Sequence, residues 1–493
     1  MSSQTTAIVE PPTDQAQATV ASSLASSRAV RDAIESLQRE LKQAQSRLTA
    51  VRPPIGSLKT RYQEFLNRQT EAKGRPPLYP YVGSGLGNGA LVELADGSVK
   101  FDMINGIGVH MFGHSDPDII ATAIRAAMSD MIMQGHLQFN ADAIELAELL
   151  IAEASRSSQI KRCFITNSGA MANENALKIA FHKNAPASRI IAFNDCFMGR
   201  STTMAQIGDS AAGRVGLPLN VLVDYMPFYS ADEGQRSIDD AALRLQQYIH
   251  RYPKQHAAFV FELVQGEGGF NIAPPEFFAS LMKLCKDNGI AVWIDEVQTF
   301  GRTNRMFHFE QLGLGEFVDI VTIGKMSQAC ACLFTEEYNP KPGLLSATFV
   351  ASSVALQTGK RILERLRDGG YYGDNGRIAQ LQSAFREHAA KLVKDHPQWF
   401  PVALDQYGRE HRAAGHFGGV GGMMRFTPFA GDRAAVQKAL LTMFNEGVVA
   451  FYCGHGPYHV RFLPPIGVMQ PAQFADVFEI VESSLERTAR TLK

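Results

Sequence analysis

Between residues 160 and 325 the sequence alternates between two textures. Short, almost unbroken apolar runs stand at RCFIT (162–166), RIIAF (189–193), AAFVFELV (257–264), IAVWID (290–295) and VDIVTIG (318–324). Longer stretches with helical spacing lie among them, including ANENALKIAFHK (172–183), DDAALRLQQYIHR (239–251) and PEFFASLMKLCKDNG (275–289). A strand that is apolar at successive positions has no solvent face, so something must cover it on both sides. Parallel strands need crossovers long enough to hold a helix, and those helices supply the cover. The pattern therefore predicts an α/β fold: a large unit with a mostly parallel sheet of the seven-stranded kind, flanked by helices.

The flanks read differently. Residues 1–26 are rich in Ser, Thr, Ala, Gln and Pro and predict a disordered tail. Residues 27–48 place Val30, Ile34, Leu37, Leu41 and Leu48 at helical spacing, which predicts an amphipathic helix with a narrow apolar stripe, ending before Arg52-Pro53-Pro54. After about residue 370 the pattern becomes helix (376–395), glycine-rich stretch, helix (432–446), short strand and final helix (471–491), a separate α+β unit. The expected division is tail and helix at 1–50, a segment packing with the small domain at 51–100, the large domain at 101–370 and the small domain at 371–493.

Charge narrows the function classes. The 493 residues carry 48 Lys and Arg against 49 Asp and Glu, a net charge of −1, so the basic excess of a nucleic-acid or membrane-surface binder is missing. Six cysteines include no CxxC pair, and thirteen histidines show no metal-binding spacing, so no metal site is expected. Sparse, unpaired cysteines and the lack of an apolar leader predict a cytoplasmic protein. His114, in FGHSDP, reads as a hydrogen-bonded turn residue, the methionine cluster at 128–134 as helix packing, and Cys330 and Cys332 as small buried residues.

Three elements fall at C-terminal strand ends, where parallel sheets present ligands. Asp295 ends IAVWID, a costly place for a carboxylate without a cationic partner. Lys325 follows VDIVTIG, where burial would depress its pKa and free a nucleophilic amine. Asn167-Ser168-Gly169-Ala170 joins a strand to a helix with small residues, leaving backbone N–H groups open to a phosphate. A lysine for an aldehyde, an aspartate for a cationic ring nitrogen and a helix N-terminus for a phosphate together describe pyridoxal phosphate.

At these residues the sequence resembles the class III, or ω, aminotransferases, fold-type I pyridoxal phosphate enzymes, over about residues 60–490. NSGAMANENALKIAF, CFMGRST, FELVQGEGG, IDEVQTFGRT, TIGK, SATF and VRFLPPI match family segments in order. Met198 stands where the family has histidine and Leu263 where it has proline, and GKMSQACAC and VASSVA also depart from it. NEN (173–175) and Gln328 lean toward the lysine 6-aminotransferase and 4-aminobutyrate aminotransferase branches. The resemblance implies roles: Lys325 as covalent anchor and proton carrier, Asp295 against the ring nitrogen, Gln298 on the 3′-oxygen and Phe197 stacked on the ring. Ser168, Gly169 and Ala170 would hold the phosphate, joined by Thr348 of a neighbouring subunit, which implies a homodimer with shared active sites. Arg461, covered by a movable Glu267, and Arg200 would bind substrate carboxylates. The implied reaction moves a terminal amino group from a lysine-, ornithine- or acetylornithine-like donor to 2-oxoglutarate. A 4-aminobutyrate-type donor, a non-transaminating pyridoxal phosphate enzyme and an inactive binding subunit remain as alternatives.

Overall fold

The computed structural model describes residues 19–77, 79–129 and 133–492. Three short strands come first: β1 (Gly83–Asn88), β2 (Leu91–Leu94) and β3 (Val99–Asp102). The apolar runs then become β4 (Ile160–Thr166), β5 (Arg189–Phe193), β6 (Leu222–Met226), β7 (His256–Glu262), β8 (Ala291–Asp295), β9 (Ile320–Ile323) and β10 (Cys330–Thr335). These seven form one sheet in the order β4-β10-β9-β8-β7-β5-β6. All run parallel except β10, which is antiparallel to both neighbours. Every residue of β7, β8, β9 and β10 is buried, so the sheet centre is covered on both faces, as the unbroken apolar runs require.

Two of these strands escape the sequence reading. In β6 the apolar run is broken by Asp224, whose carboxylate is held by Arg189 at 2.7 Å and His256 at 2.9 Å. In β10 the segment Cys330–Thr335 looks irregular beside the family pattern, yet it inserts between β4 and β9. Cys330 and Cys332 are buried, unbonded thiols of this strand.

The C-terminal part contributes β11 (Phe417–Val420), β12 (Met423–Phe426), β13 (Val448–Val449), β14 (Phe451–Cys453) and β15 (His459–Phe462). Strands β11-β12-β15-β14 form an antiparallel sheet. Its alternation is strict. Met424, Phe426, Val460 and Phe462 point one way and are buried. Phe426 and Phe462 meet Phe385 and Phe478, from helices Arg377–Asp395 and Gln473–Leu492, with ring centroids 5.6–6.4 Å apart. Arg425, Arg461 and His459 point the other way and are also buried, so this face is polar but not solvated. Strand β13 leaves that sheet and pairs in parallel with β3, joining the N-terminal strands to the C-terminal part.

The N-terminal region is more ordered than its composition suggests. Residues 1–18 of the expected tail lie outside the described residues, but Val20–Ala25 form a short helix capped by Thr19. The expected amphipathic helix spans Arg28–Gln45. Ile34 and Leu48 are buried while Leu37 stays 54% exposed, so the predicted stripe is only partly used. The helix end is fixed by polar contacts instead: Gln45 Nε2 donates to Gly87 O (2.7 Å) and Ser115 O (2.8 Å), and Asn88 Nδ2 donates to Leu48 O (3.0 Å). Residues 130–132 of the methionine cluster also lie outside the described residues. Among the described residues no helix is long and apolar enough to cross a membrane.

Candidate active site

The C-terminal edge of the seven-stranded sheet collects two carboxylates. Asp295 ends β8 and Glu262 ends β7, and the two are register partners on adjacent parallel strands. Asp295 Oδ2 accepts from Asn173 Nδ2 (2.7 Å) and Oδ1 from the Val297 N–H (2.8 Å), both neutral donors. Burial pushes its pKa up, opposed by those hydrogen bonds and by the charge of Lys325. Glu262 Oε2 accepts from the Phe197 N–H (3.0 Å) and Oε1 from the Gly266 N–H (2.9 Å). Burial, with the neighbouring Asp295 charge, raises Glu262 to about 8. The two carboxyls thus compete for one charge, and Lys325 and the Asn173 and Val297 donors favour placing it on Asp295.

Lys325 faces the same space. It begins a tight turn, Lys325–Ser327, after an extended Gly324 and has φ +55°. The left-handed region costs a side-chain-bearing residue roughly 1 kcal/mol, and here it turns the chain sharply at the end of β9. Burial lowers the pKa of the amine, and Glu267 and Asp295 only partly oppose this. A larger fraction of free amine, the nucleophilic form, follows.

The third wall is the start of helix Gly169–Lys183. Ser168 caps it, its Oγ accepting from the Met171 N–H at 3.2 Å. A Cβ on Gly169 would come within 2.8 Å of Val297, so that glycine is needed for close packing as well as for an open backbone. Gly169, Ala170, Asn173, Phe197, Gln298 and Lys325 are among the residues that enclose a cavity of about 170 Å³ above Asp295 and Glu262. Two buried amide oxygens on its wall, Asn173 Oδ1 and Gln298 Oε1, have no hydrogen-bond partner among the described residues. Buried polar atoms without partners are uncommon in folded proteins, and two on one cavity wall are acceptors that a ligand could complete.

Above this floor lies an ion pair. Arg461, on β15, is fully enclosed, and its Nη1 and Nη2 donate to Glu267 Oε1 (2.7 Å) and Oε2 (3.4 Å). The rings of Phe270 and Phe451 flank the guanidinium at 5.9 and 5.5 Å. Burial alone would raise the pKa of Glu267, but Arg461 outweighs it, aided by Lys325 and Gln298, and holds the carboxyl below its ordinary value. The pair is stable as a pair, yet Glu267 keeps a quarter of its side chain exposed, so it has room to leave.

The other expected site residues fall elsewhere. Arg200 is exposed and stacks over Phe197 at 5.4 Å, without a carboxylate partner among the described residues. Thr348 is exposed and away from the cavity wall; its carbonyl packs against Gly135. Gln328 is exposed and turned toward Val109 O at 3.3 Å. His114 is a turn residue held by Asp102 at 2.7 Å, as its context suggests. Two wall residues, Asn173 and Glu262, were given no role by sequence. Glu262 carries the same signal as Asp295, an acidic residue closing an apolar run. Asn173 belongs to the NEN segment already singled out, but nothing in that segment points its side chain at Asp295, since an asparagine in the second turn of a helix is ordinary.

Comparison with known proteins agrees with this geometry. A family model described as aminotransferase class-III matches residues 79–485. The 2-aminoadipate transaminase of Pseudomonas putida is 36% identical over 78% of this chain and 90% of its own. An acetylornithine aminotransferase of Caldanaerobacter subterraneus is 25% identical over 81% of this chain and 93% of its own. The lysine aminotransferase of M. tuberculosis shares the fold, with a TM-score of 0.73 at 21% identity over 86% of this chain and 99% of its own.

Proposed function

The chain belongs to the class-III aminotransferases, and from that premise we propose that it moves a terminal amino group from a diamino or ω-amino acid to 2-oxoglutarate, giving a semialdehyde and glutamate. The carrying observation is the juxtaposition of Lys325 and Asp295 in one cavity, with the Arg461–Glu267 pair beside Lys325. The cofactor of the class is pyridoxal 5′-phosphate, and the cavity suits it. The unpartnered amide oxygens of Asn173 and Gln298 can accept from a ligand's donors, and Asp295 sits among neutral donors where a cationic ring nitrogen would satisfy it. When bound, the cofactor supplies an aldehyde that condenses with amines and a ring that accepts the electron pair left when a neighbouring carbon loses its proton.

The chain does the rest. The Lys325 amine would hold the cofactor's aldehyde carbon, and when freed its Nζ would be the base that carries a proton from the amine-bearing carbon to the carbon on the far side of the shared nitrogen. Asp295 would oppose the ring nitrogen and keep its proton in place. Gln298 would hold the ring's 3′-oxygen and Phe197 would cover one ring face. The backbone at Ser168, Gly169 and Ala170 offers N–H groups to the phosphate at the helix N-terminus. Thr348, exposed on one protomer, reaches the phosphate of a second copy, which makes the working unit a homodimer.

Glu267 and Arg461 let one site take two partners. With the pair closed, the pocket presents no net charge to the carboxylate-free end of a terminal amine donor. With Glu267 swung aside, Arg461 holds the α-carboxylate of 2-oxoglutarate or glutamate through two parallel bonds. Arg200, at the rim, takes the distant carboxylate of the donor. The six unbonded cysteines favour a reducing, cytoplasmic setting. A second reading rests on the 36% identical relative: a 2-aminoadipate-like donor would place a carboxylate on each of Arg200 and Arg461.

The test is an absorbance titration of the cofactor-loaded protein with glutamate, lysine, ornithine, 4-aminobutyrate and 2-aminoadipate. The visible band of lysine-bound cofactor should bleach with glutamate and with one terminal amine donor. Bleaching by 2-aminoadipate and no terminal amine would favour the second reading. A band that survives every donor would end both.

A further inference from the structure

The polar face of the small-domain sheet presents two arginines to the large domain, and only one has a carboxylate. Arg425 on β12 is the register partner of Arg461 on β15, so both side chains leave the same face about 5 Å apart at their roots. Arg461 has Glu267. Arg425 is 6% exposed, and its guanidinium donates only to the neutral Ala414 O (2.6 Å) and Thr427 Oγ1 (3.2 Å). Its Nε has no partner among the described residues. Like charges opposite one another on a sheet repel, and a buried cation without a counter-charge is unfavourable.

The space beside Arg425 is large. It lines a cavity of about 670 Å³ between the Pro227–Ala231 turn of the large domain and the loop at 405–415. This cavity shares no wall residue with the one at Lys325, and Phe270, with Arg461 over its ring at 5.9 Å, stands on its wall. Both carboxylates on the wall are already engaged: Asp195 with His455 (2.8 Å) and Asp405 with Arg409 (2.7 Å). A second cation, Arg386, stands on the cavity wall but is exposed, and its guanidinium reaches only Gly419 O at 3.3 Å.

We propose that this cleft binds a small anion bearing carboxylate or phosphate groups, with Arg425 as its buried anchor and Arg386 at its rim. The site is separate from the cofactor cavity and from the proposed reaction. Its walls come from both domains, so an occupant ties the small-domain sheet to the Gln265–Asn271 hairpin that carries Glu267.

Thermal denaturation of the cofactor-loaded enzyme, with inorganic phosphate or glutarate replacing chloride at constant ionic strength, tests this. Saturating anion should raise Tm by about 3 °C or more. Arg386→Gln should weaken the apparent affinity about tenfold. Gly418 offers a stronger variant, because a Cβ there would lie 3.3 Å from the Arg425 guanidinium. Gly418→Asp places a carboxylate on Arg425 from within the chain. It should raise Tm in anion-free buffer and abolish the anion response. Glutarate also suits Arg461, so only the part of the response lost in Gly418→Asp counts. The anion that gives that part, phosphate or glutarate, identifies the chemistry of the natural ligand. No response to either anion in the unaltered enzyme, or a full response in both Arg386→Gln and Gly418→Asp, overturns the proposal.

Discussion

The floor and the roof of the active site hold charge in opposite ways. On the floor, at the C-terminal sheet edge, Asp295 and Glu262 are buried side by side among neutral donors, and burial drives both toward the protonated state. On the roof, the C-terminal antiparallel sheet buries Arg461, paired with Glu267, and Arg425, with no carboxylate partner among the described residues. A guanidinium cannot discard its proton near neutral pH, whereas a carboxyl can take one up. The floor therefore answers crowding by protonating Glu262, and the roof can answer only by recruiting an anion. A substrate with an amine at one end and a carboxylate at the other spans these two demands.

The largest effect should come from the floor. Lys325→Ala removes both the covalent anchor and the proton carrier, and kcat should fall by about 10³-fold or more in a steady-state assay. Asp295→Asn keeps the shape but removes the charge opposite the ring nitrogen, and a loss of about 10²-fold is expected. Arg461 should bind substrate carboxylates even so, leaving KM for 2-oxoglutarate within a few-fold of its starting value.

The roof should break differently. Glu267→Ala uncovers Arg461 at a cost of about 2 kcal/mol, less than for a fully enclosed pair because Glu267 is partly exposed. The ratio of kcat/KM for glutamate over that for a terminal amine donor should rise about tenfold, since the arginine no longer has to be vacated. An unchanged ratio would mean that the pair is structural.

The contrast within the floor is sharpened by Glu262→Gln, which removes the titrating carboxyl and keeps one of the two acceptors for the Phe197 and Gly266 N–H groups, since an amide nitrogen cannot accept. Turnover at pH 7 should stay within a few-fold of normal. Stability carries the clearer signature. The folded pKa of about 8 lies above the ordinary 4.5, so the folded chain binds the extra proton between those values. Stability contributed by this group is complete below about 4.5 and is lost as pH rises through about 8. Tm of the cofactor-free chain should therefore decline from pH 5 to 8 more steeply than Tm of the glutamine variant. The smallest effect belongs to Ser168→Ala, which loses a helix cap worth about 1 kcal/mol and should weaken cofactor binding modestly.

The floor was also the legible half. Asp295 and Lys325 stand at the ends of unbroken apolar runs, so local texture alone points to them, and β4, β5, β7, β8 and β9 fall within two residues of the runs that predict them. Where texture is interrupted, reading fails. Strand β6 contains Asp224, tolerable only because Arg189 on adjacent β5 and His256 on β7 beyond it reach its carboxylate. Strand β10 begins CAC, two small thiols that give no strong period. The roof is almost silent in sequence. Glu267 and Arg461 meet across 194 positions, and only the resemblance to a family joined them in advance. Nothing near Arg425 distinguishes it from a surface arginine; its burial follows from register with Arg461, a property of the assembled sheet.

The parallel pairing of β3 with β13 has a consequence in time as well as in space. Val448 and Val449 complete a sheet whose other members lie before residue 103. On a ribosome adding roughly 5–20 residues per second, β3 waits about 20–70 s for that partner. Through that interval its far edge is held only at Val99, by a two-bond bridge to Arg52, and the Phe101 end stays open, although every residue of β3 is destined for burial. Such an edge is a template for pairing with other chains. The last stage of synthesis therefore both closes the fold and ends its greatest exposure to aggregation, and late C-terminal truncations should accumulate as insoluble protein rather than as stable fragments.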